Sequence, residues 1–218
     1  MTGRIAGMMA VFLLAGASGG GTSDSNPISL CAERFEAIAF RSIPPTTYTF
    51  EDNVLICQVD CSASILLQPF DEVTAVSAVS FEWKSQGEFQ VKDAEHETSK
   101  AGDDALLRVG LVLHGEPPRI PVFAPSWVRQ IRDILTLPSG RMILLKAGSR
   151  HPPESTWPNP DTGYIKYVSV ASEPMEDSWK KATYTFEEEL EAAGLWLMAD
   201  GDRTDSRFTT KVRNIRLE

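Results

Sequence analysis

The 218-residue sequence contains little cysteine and little histidine, three residues of each. The three histidines are far apart, and the cysteines have no nearby histidine pair, so zinc ligation is not expected. The phosphate-loop pattern G-x-x-x-x-G-K-[ST] is also missing. No enzyme class is therefore indicated by these motifs, and a role without catalysis is favoured over an enzymatic one.

Basic residues are outnumbered by acidic ones, 21 Lys and Arg against 30 Asp and Glu, which gives a net charge of −9. A surface with this excess of negative charge repels phosphate backbones, so no nucleic-acid partner is expected. Long apolar runs are missing too, because no stretch approaches the roughly 18 apolar residues of a membrane-spanning helix. We expect no membrane span.

The N-terminus has the pattern of a secretory signal peptide. Arg4 precedes a short apolar run over residues 5–14, and the small residues Ala15 and Ala17 stand where a signal peptidase cleaves. We predict a signal peptide at 1–17, a flexible leader at 18–30 and a single domain at 31–218. The protein is then periplasmic or secreted.

The domain is predicted to be all-β. Short runs with alternating apolar and polar residues recur throughout the chain and are bounded by Gly, Pro, Asp and Asn, which is typical of a β-sandwich or barrel. These runs are 35–40, 46–50, 54–59, 64–69, 75–83, 105–113, 142–147, 164–171, 194–199 and 208–217. Two short segments have helical character: 127–135, with Ser126 as its cap, and the acidic 186–193, which is a helix or an extended turn.

The three cysteines leave their pairing open. Cys57 and Cys61 are four residues apart, and a continuous strand would separate them by about 13 Å, beyond disulfide reach. A bridge from one of them to Cys31 is the alternative to three free thiols.

Two pairs of aspartates border predicted strands. Asp103 and Asp104 precede the strand at 105–113, and Asp200 and Asp202 follow the strand at 194–199. If these two strands are antiparallel neighbours, the start of one lies beside the end of the other, and the carboxylates converge. Hard oxygen ligands of this kind suit Ca²⁺, for which Asp200 and Asp202 are the candidate metal ligands. Turn capping and paired-carboxylate catalysis remain the alternatives.

Two further residues are candidates for ligand binding, together with Asp103 and Asp104. Arg108 lies within an apolar strand, where its charge requires a carboxylate partner, either an aspartate of the chain or an anionic ligand. Trp157 lies in a proline-rich loop, and we expect it to be the most exposed of the five tryptophans. The other tryptophans fit strand or helix patterns and are most simply core residues.

Four segments in this order resemble a bacterial family of exported proteins known as domain of unknown function 3047. They are Phe-Glu-Trp-Lys at 81–84, Lys-Ala-Gly-Asp-Asp at 100–104, Trp-Pro-Asn-Pro at 157–160 and Ala-Asp-Gly-Asp-Arg-Thr at 199–204. The resemblance spans about residues 35–217. It implies a jelly-roll β-sandwich similar to galactose-binding-like domains and carbohydrate-binding modules, without an established activity.

The sequence thus favours an exported, non-catalytic module that binds a ligand, with a glycan or another component of the cell envelope as the expected partner. No cofactor is required, and Ca²⁺ is the one metal that the residues suggest. The alternatives are an envelope enzyme that acts on saccharides through paired aspartates, and a structural or protein-interaction module.

Overall fold

The computed structural model describes residues 27–119, 125–171 and 178–218. The predicted signal peptide at 1–17 and most of the predicted leader lie outside these ranges. The end of the leader belongs to the domain, because Leu30 is buried and donates its backbone N–H to the side chain of Asn53 over 2.7 Å. The Ile28 N–H likewise bonds to the Ile215 carbonyl over 2.7 Å, so the packed chain starts before the predicted boundary at 31.

The predicted fold class, an all-β jelly-roll sandwich with one or two short helices, is confirmed. The described residues form ten strands, two α-helices and a 3₁₀ turn at Ala32–Arg34. The strands are β1 (Glu36–Ala39), β2 (Thr47–Glu51), β3 (Val54–Asp60), β4 (Ser64–Glu88), β5 (Ala105–His114), β6 (Ser139–Ala147), β7 (Thr156–Pro158), β8 (Ile165–Ala171), β9 (Lys180–Asp200) and β10 (Arg207–Leu217). The helices are α1 (Ala94–Thr98) and α2 (Ser126–Ile134). Neither described helix is long and apolar enough to cross a membrane.

The strands are linked by hydrogen bonds in the order β2-β3-β10-β4-β9-β5-β6-β8-β7, and β1 pairs with β4. All described pairs are antiparallel except β6 with β8. The two long strands β4 and β9 pair along most of their length, with register shifts at 69/74 and 76/78 of β4. Such irregularities bend a strand and increase its twist, which allows β4 and β9 to contribute to both halves of the fold.

The sheet folds over on itself around the main core. Although β4 and β9 separate β10 from β5 in the strand order, β10 packs against β5, and β3 packs against β9. The apolar residues between the two layers form one cluster drawn from β3, β4, β5, β6, β8, β9 and β10. A second cluster lies on the opposite face of β5, β6, β8 and β9, where α2, β1 and β7 cover it. This second face carries the candidate site.

Most of the predicted elements are present, and the differences have physical reasons. The helix predicted at 127–135 is α2, but the predicted cap is wrong, because Ser126 is the first helical residue and Pro125 precedes it without a side-chain cap. The predicted acidic helix or turn at 186–193 is also wrong, because this segment is part of β9. Its glutamates point to solvent while Leu190 and Ala192 pair with β4, so tertiary pairing overrides the helical preference of glutamate. The runs at 64–69 and 75–83 join into the single strand β4. Helix α1 and strand β7 were not predicted.

The alternative of a disulfide to Cys31 is not realised. Cys31, Cys57 and Cys61 are all free thiols. Cys57 lies in β3 with its side chain in the main core, and burial raises the pKa of this thiol. The cysteines therefore contribute packing rather than cross-links.

The close approach of β5 to β6 gives a stability prediction. A Cβ on Gly110 of β5 would lie 2.1 Å from Cδ2 of Leu144 and 2.9 Å from the Ile143 carbonyl oxygen, whereas a Cβ on Gly163 meets nothing within 4 Å. Because overpacking costs about 1–3 kcal/mol, we expect Gly110→Ala to lower the free energy of unfolding by about that amount. Gly163→Ala is the matched control and should be close to neutral. Urea unfolding of both variants measures the difference, and equal midpoints would contradict the described packing.

Candidate functional site

The two aspartate pairs meet at one end of the sheet. Strands β5 and β9 are antiparallel neighbours, with Ala105 opposite Asp200, so the start of β5 lies beside the end of β9. Asp103 and Asp104 come directly before β5, Asp200 is the last residue of β9, and Asp202 follows in the turn to β10. The antiparallel arrangement required for convergence is therefore present.

Arg108 is the centre of this cluster. Its side chain is 2% exposed, and its guanidinium forms ion pairs with the carboxylates of Asp103, at 2.9 Å, and Asp200. The guanidinium also donates to the Asp103 carbonyl over 3.0 Å. Burial disfavours the charged guanidinium, but the negative charges of Asp200 and Asp103 outweigh it and raise the pKa of Arg108. The aspartates of the chain, rather than an external anion, are the partners of this buried charge.

Asp103 has two further partners that sequence reasoning missed. The Tyr167 hydroxyl, on β8, donates to the second carboxylate oxygen of Asp103 over 2.9 Å. The Asn159 side-chain amide, in the loop between β7 and β8, donates to the same oxygen over 3.0 Å. Asn159 belongs to the Trp-Pro-Asn-Pro segment, which was the sequence signal that pointed to this loop. Asp103 therefore joins three separate elements of the fold.

A second buried cation, Lys146 of β6, lies next to this network and was not predicted as a site residue. Its ammonium forms an ion pair with Glu97 of α1 over 2.9 Å and donates to the Asp104 carbonyl over 3.1 Å. Glu97 also accepts from the Ser149 hydroxyl, at 2.9 Å, and from the Arg150 backbone N–H, at 2.7 Å. Both charged side chains are 1% exposed, so the pair fixes α1 against the sheet.

Asp104 caps the turn between β9 and β10. Its carboxylate accepts from the backbone N–H and hydroxyl of Thr204, at 2.7 and 2.6 Å, and from the Arg203 N–H at 3.3 Å. One carboxylate oxygen from each of Asp104, Asp200 and Asp202 lies within 4.8 Å of the others. Burial is the largest cause that raises the pKa of all three carboxyls, and it raises that of Asp200 to about 7.

A cavity of about 1180 Å³ opens beside this cluster, over the second face of the sheet. Its walls combine aromatic rings with charged and amide side chains. The aromatic residues in the lining are Phe40, Trp127, Tyr164, Tyr167 and Trp196, and the polar ones include Arg41, Asp103, Arg108, Arg119, Arg129, Asn159, Asp161, Asp200, Asp202 and Arg203. Asp103, Arg108, Asp200 and Asp202, which the sequence singled out, all line this cavity.

Trp157 and Asp104 are not among the residues that line the cavity. The expected exposure of Trp157 is wrong, because the residue is 8% exposed. Its ring stacks on His151 with the centroids 4.2 Å apart, and the Lys146 ammonium lies 5.5 Å from the ring centroid. Trp157 lies in strand β7, where it pairs with Tyr167 of β8, and its ring covers the buried cation instead of pointing to solvent. Trp157 therefore packs against the buried charges as a structural residue and does not face the cavity.

The comparison with protein families agrees with the resemblance of the sequence. A family described as "Protein of unknown function (DUF3047)" matches residues 33–216. The match covers most of the chain, and the chain therefore belongs to this family. No curated protein matches the chain.

Two solved structures, both of family 29 carbohydrate-binding modules, have a low similarity to this chain. A "Carbohydrate binding module family29" has a TM-score of 0.38 and 7% identity, covering 88% of this chain and 82% of that chain. A lysine-to-alanine mutant of such a module, complexed with cellulohexaose, has a TM-score of 0.37 and 8% identity, covering 88% and 84%. Because these scores and identities are so low, no function is transferred from these structures to this chain.

The role of Arg108 can be tested by its replacement with an apolar side chain of similar length. Arg108→Met leaves the carboxylates of Asp103 and Asp200 buried without their counter-charge. Removing one partner of a buried ion pair costs about 3–5 kcal/mol, so we expect a loss of that size in the free energy of unfolding. Lys166→Met, at an exposed position of β8, is the control. A variant as stable as the control would show that the ion pairs do not support the fold.

The raised pKa of Asp200 predicts a pH dependence. The folded protein holds the proton with a pKa of about 7, whereas the unfolded chain has an ordinary value of about 3.9. The folded state therefore binds more protons between these values, and the contribution of Asp200 to stability falls as the pH rises from about 4 to about 7.

We expect Asp200→Asn to remove this contribution, so that its melting temperature decreases less than that of the wild type between pH 5 and pH 8. Asp71→Asn, at an exposed position, should keep the wild-type pH dependence. Parallel curves for the wild type and Asp200→Asn would contradict the assignment.

Proposed function

We propose that this protein is an exported, non-catalytic module that binds a glycan in the cavity above β5, β6, β8 and β9. The observation that supports the proposal is the composition of the cavity wall, which combines aromatic rings with carboxylate, guanidinium and amide groups. The signal-peptide pattern at the N-terminus supports export to the periplasm or the medium.

The aromatic side of the cavity suits the apolar face of a sugar ring. Tyr164 is 47% exposed, one of the two large apolar side chains that are exposed among the described residues. Trp127 is half-buried on α2, and its ring meets Trp196 edge to face with the centroids 6.4 Å apart. An apolar wall with a few oriented polar groups is typical of small-ligand sites, and pyranose C–H faces pack on such rings.

The polar side of the cavity suits sugar hydroxyls. Asp202 is half-buried and lines the cavity, so its carboxylate can accept hydrogen bonds from a ligand. Asn159 also lines the cavity, but its side chain is committed to the fold. Its amide nitrogen donates to Asp103 and to the Tyr167 hydroxyl, and its amide oxygen accepts from the backbone N–H groups of Asp161 and Thr162.

A saccharide-acting enzyme is the second candidate, and the proximity of Asp200 to Asp202 is the observation that favours it. A pair of carboxylates with one raised pKa is the arrangement of glycoside hydrolases. However, Asp200 accepts from Arg108 and from the Ala105 N–H at 3.0 Å, which commits it to the fold. We therefore propose glycan binding without catalysis. If the protein released reducing ends from a bound oligosaccharide, the saccharide-acting enzyme would be the correct function.

Calcium at Asp200 and Asp202 stays a prediction. Asp104 is close enough to contribute a third carboxylate, and these hard oxygen donors suit Ca²⁺. Arg108 already neutralises part of this charge through Asp200. Thermal unfolding in Ca²⁺, in Mg²⁺ and in chelator tests the site, since a bound ion raises the melting temperature with its concentration.

The proposed function is tested by glycan binding to the chain without its signal peptide, first on an array and then by calorimetry. We expect Tyr164→Ala to weaken binding of the best glycan about ten-fold, which corresponds to about 1.4 kcal/mol. Val73→Ala, which removes the other exposed apolar side chain at 38% exposure, should bind as the wild type does. Binding that is unchanged in Tyr164→Ala would place the glycan elsewhere, and a complete lack of glycan binding would refute the proposal.

A further inference from the structure

The cavity collects an unusual share of the arginines of an acidic protein. Five of the 12 arginines in the described part of the chain line it, and none of the eight lysines there does. The guanidinium group binds carboxylates through two parallel hydrogen bonds, whereas an ammonium group acts as a point charge. The selection of arginine over lysine therefore points to a planar anionic group, in a chain whose net charge of −9 repels anions elsewhere.

Three carboxylates in the same wall neutralise two of these five arginines, Arg108 and Arg203, and leave the others. Asp103 and Asp200 neutralise Arg108, and both are buried. Asp161 forms ion pairs with Lys100, at 2.8 Å, and with Arg203. Asp202 is the one remaining carboxylate in the described lining, and it lies at the end of the cavity formed by the β9–β10 turn.

Arg41 and Arg119 are cavity-lining arginines that none of these carboxylates neutralises. Both side chains are exposed and line the cavity, so they lie at its opening. Within residues 27–119, 125–171 and 178–218, neither has a carboxylate in ion-pair contact. Arg41 follows Phe40, whose ring meets Trp127 edge to face at 6.1 Å. A cationic group therefore adjoins the aromatic wall on which a sugar ring would rest.

We propose that the glycan bound in this cavity is an acidic one, a uronic-acid oligosaccharide whose carboxylates are bound by Arg41 and Arg119. This inference rests on the proposed function and adds the class of ligand. The ring packs on the aromatic wall, the hydroxyls bond to Asp202, and the carboxylate at C6 reaches the arginines. A neutral glycan would leave these two guanidinium groups without a counter-charge.

The experiment compares matched pairs of oligosaccharides by calorimetry with the chain lacking its signal peptide. Oligomers of galacturonate, glucuronate and mannuronate are each compared with the same oligomer after its carboxylates have been reduced to hydroxymethyl groups. Because hydrogen bonds to charged groups contribute about 1.5–3 kcal/mol, we expect the acidic oligomer of at least one pair to bind about ten-fold more tightly. Its affinity should fall as salt is added, and that of the neutral oligomer should not.

Single variants assign the effect to the two arginines. Arg41→Gln and Arg119→Gln should each weaken binding of the acidic oligomer about five-fold or more and leave that of the neutral oligomer unchanged. Arg34→Gln, an exposed arginine of the N-terminal 3₁₀ turn, is the matched control. Because all three side chains are exposed, the melting temperatures should stay the same.

The outcomes separate the two proposals. Equal binding of acidic and neutral oligomers, or a preference for the neutral ones, overturns the acidic ligand and leaves the glycan-binding function in place. Acidic binding that is insensitive to both arginine variants overturns the assignment to Arg41 and Arg119. If no glycan of either kind binds, on the pairs or on the array, the proposed function fails and this inference fails with it.

Discussion

The buried charge of Arg108 is the constraint around which this end of the protein is built. A guanidinium cannot stay ionised in an apolar strand without partners, because its desolvation costs several kcal/mol. The partners come from the start of its own strand and from the end of β9. The ion pairs therefore fix the register at which β5 and β9 end, and through Asp103 they fix the β7–β8 loop as well.

A second buried cation, Lys146, lies beside Arg108 and increases the need for buried carboxylates. Arg108 and Lys146 are directly opposite each other in the β5–β6 register, and like charges at such positions repel. The Asp103 carboxylate oxygen that contacts Arg108 also lies 3.7 Å from the Lys146 ammonium, and Glu97 adds a second negative charge at 2.9 Å. The Tyr167 ring lies under both cations, 5.3 Å from Arg108 and 5.0 Å from Lys146. Together with Asp200, which also pairs with Arg108, these carboxylates and the aromatic ring allow two cations to share one buried face.

The strands and the meeting of the aspartates could be predicted because they follow from local patterns. Alternation marked the strands, and the charge of Arg108 within an apolar run required a carboxylate nearby. Other features depend on tertiary contacts that no local pattern contains. The glutamate-rich part of β9 is a strand because β4 pairs with it. Trp157 is buried because it lies in β7, whose pairing with β8 places the ring near Lys146. Glu97 lies in a helix of five residues, too short to give a periodic signal.

The charged groups of the site divide into a buried set and an accessible set. Arg108, Asp103 and Asp200 form a closed network in which each charge has its partner, and Asp200 also orders the first backbone N–H of β5. These three residues form the floor of the cavity, and their role is to hold that floor in one conformation. The accessible groups are Asp202 and, at the opening of the cavity, the exposed Arg41 and Arg119. The charges of the floor are paired within the protein, so a ligand does not need to supply a missing charge there. Among the described residues, only N–H groups such as Nε of Arg108 and Nε1 of Trp196 lack a hydrogen-bond partner at this floor. The ligand selectivity of the cavity is therefore determined at its aromatic wall and at its opening. Substitutions at these places change ligand affinity without changing the stability of the fold.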